Sequence, residues 1–157
     1  MKNIISFILI LFALAGCNTS VNNEKTKQTS KPMQGTWKLL TGTLVEKGDT
    51  IVTDYTKGKE FIKIINDTHF AFLSHSLAKG KNSAADYSSG GGHYTLKDSN
   101  YTEHLEYCSD RQWEGNDFNF IVTINNDTLT QKGIEKIDSL GINRINIERY
   151  VRLKDKQ

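Results

Sequence analysis

The chain contains one proline, Pro32, and two cysteines, Cys17 and Cys108, in 157 residues. Beyond its first sixteen residues it has no apolar run approaching the roughly 20 residues that a transmembrane helix needs. Runs of Lys or Arg are also missing. The formal charge is +2 and the signs alternate along the chain, as on a solvated face, which leaves no basis for nucleic-acid binding. The four histidines (69, 75, 93 and 104) never stand two or four apart, so no paired-histidine metal site is expected. Gly90-Gly91-Gly92 lacks the Gly-Lys-Ser/Thr tail of a phosphate loop. Glycines there are better suited to a bulge or to close backbone approach at a strand entrance. No G-x-S-x-G nucleophile motif occurs. Glu103 and Glu106 fall on opposite faces of an extended segment, which argues against shared acid–base work. No catalytic residue, metal or cofactor is assigned.

What the chain does have begins at its start. Lys2 precedes an apolar run from Ile4 to Ala15, which reads as the core of a secretory signal. The end of that segment, Leu14-Ala15-Gly16-Cys17, resembles the bacterial lipobox. The resemblance implies cleavage before Cys17, a thioether-linked diacylglycerol on its sulfur and a palmitate-type acyl chain on its new amino group. Several chains make anchoring effectively stable, so the membrane is the first expected partner. The expected location is the bacterial cell envelope, at the outer rather than the inner membrane. With Cys17 lipidated, Cys108 has no partner within the chain. It is expected as a small buried residue rather than a nucleophile, with an intermolecular bridge as the alternative.

Removing residues 1–16 takes away one charge, Lys2, so +2 becomes +1. Residues 17–33 carry the lipidated cysteine and then a polar stretch closed by the only proline. That composition buries no core and reads as a tether of up to about 50 Å at about 3.3 Å per residue. Residues 34–155 read as one domain. β-branched and aromatic residues are frequent there and turn pairs recur at short spacing. Strands are expected at 35–41, 43–53, 59–65, 68–75, 91–97, 101–108, 117–125, 128–132 and 142–153, with a helical turn or two over 134–140. Eight or nine hairpin-linked strands predict an all-β, antiparallel, up-and-down barrel, because closure removes exposed edges. About eight strands leave room for side chains or one small ligand.

Alternation sorts the faces. Phe118, Phe120, Val122 and Ile124 are expected inside, as are Phe70 and Phe72. So are Tyr101, Glu103, Leu105 and Tyr107. In the last strand the apolar set, Ile145, Ile147, Val151 and Leu153, carries Arg149 inward with it. Glu103 and Arg149, among Tyr94, Tyr107 and the phenylalanines, then form the candidate ligand site: Phe70, Phe72, Tyr94, Glu103, Tyr107, Phe118, Phe120 and Arg149. Buried charges need partners, so the two either pair with each other or meet a polar ligand head group. Trp113, in the polar loop 109–115, is a candidate for capping a barrel mouth, plugging the core or meeting a partner.

Gly35-Thr36-Trp37 is similar to the G-x-W opening of calycins. The resemblance implies that Trp37 closes one end of the barrel under an arginine of the last strand, Arg152 or Arg149. Gly35, Trp37 and Arg152 are therefore the expected barrel-closing residues. The arginine–x–tyrosine carboxylate clamp of fatty-acid-binding proteins is not matched, since Glu148 stands two before Tyr150. Nor is their helical lid matched, since residues 41–55 read as a hairpin around Gly48-Asp49. A wider resemblance is to small bacterial lipocalin-like lipoproteins of the Bacteroidota type. Its segments are Gly35–Leu39, Asp67–Phe70, Gly90–Leu96, Tyr101–Tyr107 and Asp127–Gly133. It implies a calycin barrel and no activity. The function expected is a membrane-anchored barrel binding a small apolar or amphipathic ligand. The alternatives are a protein-interaction lipoprotein with a filled barrel and, behind it, an enzyme using Glu103 with a tyrosine. No protein partner is specified.

Overall fold

The computed structural model describes residues 32–78 and 86–154. The expected signal segment, Cys17 and all of the tether before Pro32 lie outside the described residues. Ten strands follow one another: β1 (Gly35–Glu46), β2 (Asp49–Asp54), β3 (Lys59–Ile65), β4 (His69–Ser76), β5 (Tyr87–Lys97), β6 (Asn100–Leu105), β7 (Tyr107–Cys108), β8 (Asn116–Asn125), β9 (Thr128–Ile137) and β10 (Ile142–Arg152). Short 3₁₀ turns occupy Arg111–Trp113 and Asp138–Leu140. All pairings are antiparallel. The path β10-β9-β8-β6-β5-β4-β3-β1 returns from β1 to β10, so eight strands close a barrel. β2 is an arm folded back on the far half of β1, and β7 is a short addition to β5.

The turns that set this order have a local cause. Lys47, Asp98 and Asn126 adopt φ of 52°, 57° and 52°, and Asn and Asp tolerate that region better than most residues. Between β3 and β4 the Asn66 side chain accepts from the backbone N–H groups of Thr68 (2.9 Å) and His69 (2.7 Å). That is an Asx turn, which satisfies donors that the strands leave behind.

Several expectations are corrected. Residues 35–46 form one long strand, not two. The register with β10 steps by one residue between Leu39 and Thr41, so a bulge bends the strand without breaking it. Residues 134–137 continue β9, and only Asp138–Leu140 turns helically. Met33 looked like tether from its neighbours' polarity. It is only 2% exposed and belongs to the core.

Two of the expected ligand contacts, Tyr107 and Arg149, point the opposite way from expectation, and neighbours on their strands reverse with them. Tyr107 is exposed. The β5 register moves from Tyr94↔Glu103 to Gly90↔Cys108, a one-residue slip at Glu106. That bulge turns Tyr107 out and Cys108 in. It is possible because β5 carries glycines here: a Cβ on Gly92 would stand 1.9 Å from the His104 carbonyl oxygen. Arg149 is also exposed, but no bulge in β10 is responsible. In β10 the inward set is Arg144, Asn146, Glu148, Tyr150 and Arg152, and Ile145, Ile147 and Val151 face out. The apolar face of this strand is its outer face, because the interior it borders is charged.

Candidate functional site

The two ends of the barrel differ. At one end Trp37 is wholly buried. Its indole N–H donates to the Met33 carbonyl at 2.9 Å, and the Arg152 guanidinium lies 4.0 Å from the ring centroid. Arg152 also donates to the carbonyls of Gln34 and Pro32. Gly35 stands at φ 135°, and a Cβ there would meet Arg152 Nη1 at 2.6 Å. Only glycine suits that position, on both counts. Ile65, Phe70, Tyr101, Leu129 and Tyr150 fill the space above Trp37. Nothing chemical is presented at this end.

Above this plug lies a layer of buried polar groups. Lys63 comes from β3, between Phe61 and Ile65 on the inward face. Its ammonium is 2% exposed as a residue and donates to Glu103 Oε1 at 2.6 Å and to Gln131 Oε1 at 3.1 Å. Glu148 Oε2 is 3.8 Å away. The rings of Tyr150 and Phe70 flank it at 5.4 and 5.8 Å. Burial works against the Lys63 charge, but the carboxylates of Glu103, Glu148 and Glu135 outweigh it and hold its pKa above the ordinary value. Burial raises the pKa of Glu103, and the Lys63 ammonium offsets this only in part. Tyr150 donates to Glu148 Oε2 at 2.7 Å. Burial and the nearby Glu103 carboxylate raise the Tyr101 pKa, and among the described residues its hydroxyl finds no partner of hydrogen-bond geometry.

Beyond this layer the barrel opens into a cavity of about 300 Å³. Its floor is the Lys63–Glu103–Gln131 group. One wall is aromatic: Phe61 and Phe72 stack at 5.6 Å, and Trp113 packs on Phe118 at 5.9 Å. The other wall is polar. Glu135 accepts from Arg144 Nε and from Asn146 Nδ2, both at 2.7 Å. Arg144 in turn sits 5.3 Å from the Trp113 ring, so the tryptophan joins the two walls at the mouth. The short 3₁₀ turn that presents Trp113 is capped by Asp110, and Glu114 ties it back to the backbone N–H of Cys108 at 3.0 Å.

Of the eight expected ligand contacts, Phe72, Glu103, Phe118 and Phe120 line this cavity. Phe70 and Tyr94 lie in or against the packed half, where the Tyr94 hydroxyl donates to the Asn66 carbonyl at 2.8 Å. Tyr107 and Arg149 face outward and take no part. The charge partner of Glu103 is thus Lys63, not Arg149. Strand alternation offered a signal for Lys63, since it shares a face with Phe61 and Ile65. Ile62 and Ile64 on the opposite face cancelled it. Gln131, Glu135, Arg144, Asn146 and Glu148 carried no signal, because each is polar on a face assumed to be dry.

Cys108 lines the cavity as a free thiol. Burial pushes its pKa up, with the carboxylates of Asp110 and Glu114 adding to this and a backbone hydrogen bond from Asp110 opposing it. A protonated thiol with no adjacent base is a poor nucleophile. On the outer surface His93 and His104 stack at 4.1 Å, and each ring bonds to its own carboxylate, Glu106 and Asp117. No group of three or more metal-ligating side chains converges among the described residues.

Residues 1–18 match the family model for the prokaryotic membrane lipoprotein lipid attachment site. The chain is a lipoprotein. It belongs to the cell envelope, held by an N-terminal lipid, and its folded part is an eight-stranded antiparallel barrel. No curated protein matches the sequence.

Proposed function

We propose that this lipoprotein is a lipocalin-like binding module that holds one small amphipathic molecule in the open half of its barrel. The cavity carries this reading. At about 300 Å³, it stands at the lower end of the range for small-molecule sites. It combines an aromatic wall with convergent polar groups on a rigid strand framework, as such sites do. The filled-barrel alternative describes the Trp37 half only. The layout that goes with the proposal is a signal peptide over 1–16, lipid on Cys17 and a tether that leads into the barrel, with the outer membrane as the site of anchoring. Residues 32–35 join the barrel at its plugged end, opposite the mouth.

The test is native mass spectrometry of the lipoprotein purified from membranes. The expected result is an adduct of constant mass that is released on unfolding and lost in variants with a filled cavity, such as Ser88→Trp. A spectrum containing only the lipidated polypeptide, with no binding of small aromatic probes, would falsify the reading.

A further inference from the structure

The cavity has an unbalanced charge. Its lining holds four carboxylates (Glu103, Asp110, Glu135 and Glu148) and two cations, Lys63 and Arg144. Each cation has a closest partner: Lys63 bonds Glu103 at 2.6 Å, and Arg144 bonds Glu135 at 2.7 Å. Asp110 lies at the exposed rim. Glu148 is half-buried, with its side chain 16% exposed, and it shares Lys63 with Glu103: its distance to Lys63 Nζ is 3.8 Å against 2.6 Å for Glu103. Its Oε2 accepts from the Tyr150 hydroxyl. Among the described residues, its Oε1 accepts nothing. A buried charge is costly unless paired. A ligand that brings a positive charge lowers that cost, and one that brings a second carboxylate raises it. The aromatic wall acts in the same direction, since ring faces attract cations.

We propose that the ligand is an amphipathic organic cation, an amine whose ammonium donates to Glu148 and whose apolar body lies along Phe61, Phe72 and Trp113. This rests on the binding-module reading above and gives its ligand a chemical class. It also makes carboxylate lipids the poorest candidates for the site.

The test uses the full lipidated chain in phosphatidylcholine nanodiscs and three probes of similar shape: 2-phenylethylamine, 2-phenylethanol and 3-phenylpropanoate. Titration calorimetry at pH 7 should rank them amine, alcohol, carboxylate, with the amine about tenfold tighter than the alcohol, the ratio that one well-made ionic contact provides. Glu148→Gln should remove that preference, bringing the amine to within about twofold of the alcohol. Asp110→Asn should keep the order. Equal affinities, or a carboxylate that binds best, would overturn the cation proposal while leaving a ligand-binding barrel in place. If none of the three probes binds and no adduct co-purifies, both readings fall. The wild-type ranking needs no variant, so a misfolded Glu148→Gln protein does not block the decision.

Discussion

The two tryptophans of this barrel sit at opposite ends and have opposite surroundings. Trp37 has no exposed surface, a hydrogen-bonded indole and an arginine over its face. Trp113 is half-buried on a short turn, with one side against Phe118 and Arg144 and the other toward the cavity. The first lies among chain-terminal segments that must be held, and the second borders a space that must stay open. One small barrel therefore divides into a half that provides stability and a half that pays for a site. The polar layer around Lys63 is the boundary between them.

Substitutions should separate the halves. Trp37→Ala should have the largest effect, a loss of about 3–5 kcal/mol as for other buried large-to-small changes, measured by urea denaturation. A loss below about 1 kcal/mol would show that this end is not the structural half. Lys63→Met comes next. It leaves Glu103 buried without a partner, and breaking such a pair from one side costs about 3–5 kcal/mol. Adding Glu103→Gln should recover a substantial part of this. A double-mutant cycle with coupling under about 0.5 kcal/mol would mean that the pair is not the boundary described. Trp113→Ala should cost only about 1 kcal/mol, near the average for point substitutions, yet weaken probe binding. If it destabilises as much as Trp37→Ala, the contrast between the ends is gone.

The smallest effect is one of pH. The Glu103 pKa is raised in the fold, so the folded protein binds its proton more tightly than the unfolded chain does. Stability from this group is present at acid pH and falls as pH rises from the ordinary carboxyl value of 4.5 through the raised one. The Lys63 contribution is constant across that window. It is lost only in alkali, above the ordinary 10.5, as pH climbs through its own raised value. The stability difference between wild type and Glu103→Gln should therefore shift against wild type as pH rises from 4.5 toward neutrality. A constant difference across this range would show that Glu103 is not held in a disfavoured charged form.

Much of the fold was legible in the residues because hairpin signals are local. Asn66-Asp67 and Asn126-Asp127 announce their turns whatever surrounds them, and the phenylalanines at 118 and 120 declare the face of their strand. The lipid attachment site of residues 1–18 was equally plain. The site was less legible. Alternation identifies an inner face only when the interior is more apolar than the exterior. That condition holds for β8 and fails for β10, where isoleucines at 145 and 147 face out and Arg144, Asn146 and Glu148 face in. It also fails silently in β3, where both faces are equally apolar and Lys63 looks like any surface lysine. At Tyr107 the pattern was right as far as Leu105, and one extra residue at Glu106 reversed it.

The sequence by itself determined the lipid attachment site and the all-β hairpin pattern that closes as a barrel, each resting on residues close in the chain or on a pattern repeated along one strand. The tryptophan that closes one end was legible only through the resemblance of Gly35-Thr36-Trp37 to calycins. Tertiary structure alone decided that Lys63 meets Glu103 across 40 positions, that Glu148 must share the same lysine at a longer distance, and that the space above them stays open. Those facts depend on which strands become neighbours and on where single-residue bulges shift the register. Register is set by the closure of the whole sheet, because a slip of one residue exchanges every inward side chain for an outward one.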